Sequence, residues 1–142
     1  MPLYGRTLDL FTSMDSADLP TVLGLLHRDV HGAIRFPDTP PVTFASRAEF
    51  EVRVAPILST LREAGVHTAT RVLAYDASTD PATVLASIDL EREIRLGATV
   101  IVHRGHATLA WSVDPDGRKS IVQWRITWEN VPRALASVSP AR

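Results

Sequence analysis

Val122-Gln123-Trp124-Arg125-Ile126-Thr127-Trp128-Glu129 is the stretch that decides the fold. Val122, Trp124, Ile126 and Trp128 alternate with Gln123, Arg125, Thr127 and Glu129. Period two is the signature of a strand with one apolar and one polar face. Immediately upstream, Asp114-Pro115-Asp116-Gly117 has the residues of a hairpin turn. Before it, Leu109, Trp111 and Val113 alternate with Thr108, Ala110 and Ser112. The two runs predict an antiparallel hairpin whose apolar face holds all 3 tryptophans of the chain.

Further upstream, Val84, Ala86, Ile88 and Leu90 alternate with Ser87, Asp89, Glu91 and Glu93, which predicts another strand, apolar on one face and acidic on the other. Arg104-Gly105 reads as a bulge within a long strand. From Val66 to Glu129 no helical stripe occurs, so the half of the chain beyond Gly65 reads as strands. Before Gly65 the pattern is helical. Tyr4, Leu8 and Phe11, with Leu3, Leu10 and Met14 beside them, recur at helical spacing. Met14-Asp15-Ser16-Ala17-Asp18 offers capping side chains, and Pro20 suits a first turn. A second helix with Leu19, Val22, Leu23 and Leu26 on one stripe is expected to end at Arg28 and Asp29. A short β-like run, Val30 to Phe36, and a turn-rich stretch, Pro37 to Pro41, follow. Ser46-Arg47-Ala48-Glu49 fits a capping box opening a third helix with Phe50, Val54, Ile57, Leu58 and Leu61 on its stripe. Pro56 lies inside it and predicts a kink or a break. Asn130 to Arg142 reads as a frayed tail.

The 142 residues, 45% hydrophobic and 22% charged with 7 Gly and 10 Pro, describe one ordinary globular domain. A chain of this length buries roughly 70% of its unfolded surface, enough for a core without staples. With no cysteine there is no disulfide, thiolate nucleophile or cysteine-based metal site. The formal charge of −1 excludes a general electrostatic attraction to nucleic acid or anionic membrane. No apolar run approaches the roughly 20 residues of a membrane span, and the first residues lack the basic and apolar regions of a signal peptide. The expectation is a cytoplasmic protein.

The order of these features resembles the nuclear transport factor 2-like superfamily, and within it the SnoaL-like polyketide cyclase and ketosteroid isomerase-like group. The resemblance rests on Asp15 to Leu19, Leu25 to Val30, Phe36-Pro37, Ala45 to Ala48, Asp116-Gly117, Val122 to Arg125 and Trp128-Glu129, and it spans residues 4 to 130. It implies an α+β fold: a cone-shaped barrel in which three N-terminal helices pack on a curved, mainly antiparallel sheet around a pocket. One domain over 1–130 and a flexible tail over 131–142 follow. The isomerases of the group keep a base carboxylate where this chain has Phe36, a tyrosine near Leu10 or Phe11, and a carboxyl donor near Leu109. All these positions are apolar, and without a base or oxyanion donors that proton transfer does not run. The cyclases keep an aspartate near the end of the last strand, where Glu129 stands. The epoxide hydrolases keep an Asp-Arg-Asp set, of which Arg125 is the nearest counterpart. Its strand parity sets it against Trp124 and Trp128, and the pocket-facing Ile126 is apolar.

Candidate chemistry is sparse. Glu129 is a carboxylate at the cyclase position. His106, beside the expected bulge, is a candidate acid–base group, and Arg35 a candidate anion clamp at the pocket mouth. Phe11, Phe36, Leu109, Trp111, Trp124, Ile126 and Trp128 are the expected ligand-binding wall. His27-x-Asp29-x-His31 does not read as a metal site, because one histidine ends a helix and the other begins a strand. Asp89, Glu91 and Glu93 read as a solvated face. No phosphate loop, dinucleotide fingerprint, nucleophile elbow or HExxH motif occurs. The expected function is an enzyme of small apolar metabolites, of cyclase or epoxide-hydrolase type, in a tryptophan-lined pocket without metal or cofactor. The alternative is a non-catalytic small-molecule-binding or dimerisation module. Homodimerisation through the outer sheet face is expected, with neither nucleic acid nor membrane as partner.

Overall fold

The computed structural model describes residues 2–78 and 83–131. The expected tail from 132 onward lies outside the described residues.

Helix α1 (Pro2–Asp15) buries Leu3, Thr7, Leu10 and Phe11, while Tyr4 and Leu8 on the expected stripe stay half exposed. The stripe is rotated because Thr7 is tolerated inside: its hydroxyl donates to the Leu3 carbonyl at 2.7 Å, which satisfies the buried group. Helix α2 (Leu19–Leu25) starts where Asp18 accepts from the Thr21 backbone N–H and hydroxyl. It ends earlier than the sequence pattern suggests. Strand β1 (Leu26–Arg35) takes over because Leu26 already pairs with Ile121 of the last strand, ahead of an irregularity that precedes His31. His27 and Asp29 therefore sit in a strand, and the His27 ring accepts from the Asp29 N–H. Among the described residues no cluster of three His, Asp or Glu side chains is placed to hold a metal.

Strand β2 (Val42–Phe44), which periodicity does not reveal, pairs with β1. The third helix is two pieces, α3 (Arg47–Arg53) and α4 (Ala55–Glu63). Ser46 caps α3 by accepting from Glu49 N–H at 3.0 Å, and Glu49 reaches back to the Ala45 N–H at 2.9 Å. Pro56 sits in the first turn of α4, where a missing N–H breaks no helical bond.

Four long strands follow: β3 (His67–Ala77), β4 (Thr83–Leu96), β5 (Thr99–Val113) and β6 (Lys119–Asn130). The sheet runs β2-β1-β6-β5-β4-β3, antiparallel except for the parallel β1–β6 pair. Gly117 N–H donates to the Asp114 carbonyl at 2.8 Å and closes the expected hairpin turn. Gly105 is not a bulge: it stands in register between Leu90 and Trp128. Its reason is space, since a Cβ there would lie 2.5 Å from Cε3 of Trp128. Gly32 is required in the same way, because a Cβ there would collide with the Trp124 carbonyl.

The inner face of the sheet carries Ala86, Ile88, Leu90, Ala107, Leu109, Trp111, Trp124, Ile126 and Trp128, all buried against the helices. Phe44 and Phe50 pack edge to face at 5.3 Å, and Phe50 lies 5.4 Å from Trp124. These contacts tie α3 to the middle of the sheet. No helix among the described residues is long and apolar enough to cross a membrane.

Candidate functional site

Between the helices and the inner face of the sheet lies a small cavity of about 70 Å³. Its wall is mostly apolar: Phe11, Ile57, Leu58, Trp124, Ile126 and Trp128 are among its residues. Two charged side chains of opposite sign belong to the same wall, Asp15 and Arg92, with Arg62 as a further cation on an exposed position.

Arg92 reaches the cavity by strand parity. It continues the alternation Val84, Ala86, Ile88, Leu90 and so faces inward, while Glu91 and Glu93 beside it face out. Its guanidinium carbon lies 4.2 Å from the Trp128 ring centroid and 5.6 Å from that of Phe36, a cation set between two π faces. One nitrogen, Nη2, is 2.9 Å from Nδ1 of His103. A guanidinium only donates, so the imidazole accepts there. The Nε of Arg92 is buried with no hydrogen-bond partner among the described residues. Burial pushes the Arg92 pKa down to about 10, with the charge of Asp15 opposing the fall. The group stays a cation at neutral pH.

Asp15 is the last residue of α1, where a carboxylate meets the negative end of the helix dipole. Three donors from β3 offset this. Oδ1 accepts from the Thr68 and Thr70 hydroxyls at 2.7 and 2.8 Å, and Oδ2 accepts from the Thr70 N–H at 2.7 Å. Of about four lone-pair sites on a carboxylate, roughly one remains for a ligand. Asp15 thus pins α1 to β3 and presents negative charge to the cavity.

Strand register aligns four polar residues across the inner face. Thr70 pairs with Arg92, Arg92 with His103, and His103 with Asn130. The next row, Val72, Leu90, Gly105 and Trp128, is apolar, and Gly105 leaves the space into which the Trp128 indole settles beside the guanidinium.

The structure places the residues expected from sequence unevenly. Phe11, Phe36, Trp124, Ile126 and Trp128 line the cavity. Leu109 and Trp111 do not: they are fully buried in the core nearer the Asp114–Gly117 turn. The indole N–H groups of Trp111 and Trp124 are buried without hydrogen-bond partners among the described residues. Glu129, His106 and Arg35 lie outside the cavity, because each alternates with an inward residue and points to the other side of its strand. Arg35 and Glu129 share an open groove with Asp38 and Thr127, separated from the cavity by Phe36 and Trp128, which line both. His106 sits on the outer face, 2.8 Å from Oδ1 of Asp89 and 3.2 Å from the Ser87 hydroxyl. That trio has the order of a nucleophile relay, but it lies on the exposed outer face of the sheet, where the neighbouring backbone N–H groups are paired in the ladders and no oxyanion donor stands beside it among the described residues. The pair that sequence reading missed, Asp15 and Arg92, had one legible signal: an arginine in step with an apolar alternation.

No family model matches the chain, and no curated protein does. Solved structures do. The β subunit of benzoate 1,2-dioxygenase from Burkholderia mallei superposes with a TM-score of 0.72 at 14% identity, covering 89% of this chain and 88% of that one. A ketosteroid isomerase-like protein from Erwinia carotovora atroseptica gives 0.64 at 14% identity, over 90% and 94% of the two chains. An NTF2-like protein from Cytophaga hutchinsonii gives 0.62 at 15% identity, over 88% and 93%. Identities this low speak for architecture and leave the chemistry to the site. With α3 and α4 as separate helices, its curved six-stranded sheet and the cavity between them, the chain has the α+β cone fold seen in these NTF2-like and ketosteroid isomerase-like structures.

Proposed function

We propose that the chain acts on a small, largely apolar molecule that carries an oxygen acceptor, as a cofactor-independent enzyme of the cyclase or epoxide-hydrolase type. One observation carries this reading: a guanidinium in the wall of an apolar cavity, set against Trp128 and Phe36 and bonded to His103. A hydrogen bond to a charged group contributes roughly 1.5–3 kcal/mol, so a ligand oxygen that accepts from this guanidinium would be held there. In both reaction types an oxygen gains negative charge as a bond forms or opens, and a preorganised cation in a water-poor site stabilises that charge. Arg92 takes this role. Asp15, through its remaining lone pair, is the one carboxylate of the wall that could accept a proton. Glu129, His106 and Arg35 lie outside the cavity and are not assigned roles in it.

A second reading has its own support. Three hydrogen bonds already engage Asp15, which suits an anchoring residue better than a base. On that reading the chain is a binding module, and the structural likeness to a dioxygenase β subunit adds assembly with another chain as a possible setting. Homodimerisation through the outer face remains part of the proposal, and a monomer by light scattering at micromolar concentration would remove it.

The test uses 2-acetonaphthone, a neutral aromatic ketone, against naphthalene. Quenching of tryptophan fluorescence should show the ketone binding more tightly. Arg92→Met should remove the preference, worth about tenfold or more for a hydrogen bond to a charged group. Equal binding of both probes by the wild type would end the acceptor reading. Turnover of an apolar epoxide or an aldol cyclisation, lost in Asp15→Asn and Arg92→Met, separates the enzyme from the binding module.

A further inference from the structure

The cation in the cavity is itself held by a buried histidine that touches no cavity space. His103 is 9% exposed, is not among the cavity-lining residues, and stands directly opposite Arg92 across the β4–β5 ladder. Its Nδ1 accepts from Nη2 of Arg92 at 2.9 Å, so the ring proton of the neutral imidazole sits on Nε2. The Asn130 side chain stands opposite on β6, where it favours the charged ring and partly offsets the fall of its pKa. The row Thr70, Arg92, His103, Asn130 is therefore a crossbar of polar side chains under an apolar cavity. We infer that His103 is a positioning residue: its neutral ring fixes the guanidinium of Arg92 against Trp128 at the cavity wall, and protonation of the ring releases it.

This inference rests on the cavity reading above. Its physical reason is direct. An imidazolium has no lone pair at Nδ1, so the bond to Arg92 cannot survive, and two cations would then lie at hydrogen-bond distance in a buried place. The groups that face the ring are Arg92 from β4 and the neutral Asn130 amide from β6, while Asp15 of α1 reaches it only through its field on Arg92. Burial first, and the Arg92 charge second, hold the His103 pKa below its ordinary value, with the Asn130 bond opposing them. The neutral form thus dominates near neutrality, and the switch lies on the acid side.

The decisive readout needs no ligand. The slowly exchanging guanidinium N–H signals of Arg92 are followed by ¹⁵N NMR in the full chain, at about pH 7.5 and about pH 5, either side of the ordinary histidine range. Guanidinium exchange with water slows on acidification, so the bond is read from chemical shift: the Arg92 signals of the wild type should move between the two pH values. His103→Asn places an amide oxygen near the Nδ1 position and does not titrate, so its Arg92 shifts should be the same at both. His103→Leu should show displaced shifts at both. In parallel, 2-acetonaphthone should bind the wild type about tenfold more weakly at the lower pH, the scale of one charge-assisted hydrogen bond. His103→Asn should abolish that difference. Arg92 signals unchanged in His103→Leu, or a pH response that persists in His103→Asn, would overturn the inference. The expected shifts with no probe binding in the wild type would overturn the cavity reading alone. Should His103→Leu not fold, the comparison of wild type with His103→Asn still decides the matter.

Discussion

Glu91 and Arg92 are adjacent, as are His103 and Arg104, yet each pair is split between two environments by the thickness of one strand. Outside, Glu91 bridges Arg71 at 2.8 Å and Arg104 at 3.2 Å, with both arginines more than 60% exposed. Inside, Arg92 and His103 make a single mutual bond, two aromatic faces and a shared burial. Arginine occurs on both sides and the consequences differ. Exposed ion pairs are screened and contribute about 0–1 kcal/mol. A buried charge is costly to desolvate, so its persistence in an apolar wall is an argument for use.

The comparison breaks most visibly at Trp128. Trp128→Ala removes a buried indole and one π face of the Arg92 sandwich, and should lower stability by about 3–5 kcal/mol in urea unfolding. A loss under 1 kcal/mol by the same measurement would show that the inner face is not packed as described. Gly105→Ala comes next. Its methyl group meets the same indole, and overpacking should cost about 1–3 kcal/mol and change the near-ultraviolet circular dichroism of the tryptophans. Wild-type spectra and stability would contradict the close approach.

The pH dependence is smaller and has a definite sign. The folded-state pKa of His103 is depressed below 6.5, so the unfolded chain binds the proton more readily. The stabilising contribution of the neutral ring is fully present above that value and is lost as pH falls through the folded pKa. Denaturant midpoints of the wild type should therefore drop on acidification more than those of His103→Asn. Parallel curves would assign the acid sensitivity elsewhere. The smallest effect belongs to the outer face. Glu91→Gln should change stability by no more than about 1 kcal/mol, and less at high salt. A larger, salt-independent loss would mean that another surface covers this face.

Most of the sheet was readable residue by residue. The alternations around Leu90, Trp111 and Trp124 set which side chains face in, and the Asp114–Gly117 turn and the Ser46 cap mark element ends through local bonds that the chain makes with itself. Strand β2 was not readable because its three residues are too few to show a period and are a strand only through pairing with β1, and the early start of β1 was not readable because Leu26 pairs far along the chain with Ile121. The same limit misled the expectation for Gly105, whose reason is the ring of Trp128 and not a local backbone irregularity.

For the site, periodicity along the chain named an apolar wall but also named Glu129, His106 and Arg35 as its polar groups, and the strands place those three outside the cavity. Only the tertiary structure decided what lies opposite that wall. Asp15 ends a helix and looks like one capping candidate among several until β3 brings three donors to its carboxylate. Arg92, His103 and Asn130 become one row only through strand register. Periodicity is a property of neighbours along the chain and fixes the direction of a side chain. Convergence depends on which strands are paired and how far they are offset, and that is settled by the packing of the whole domain.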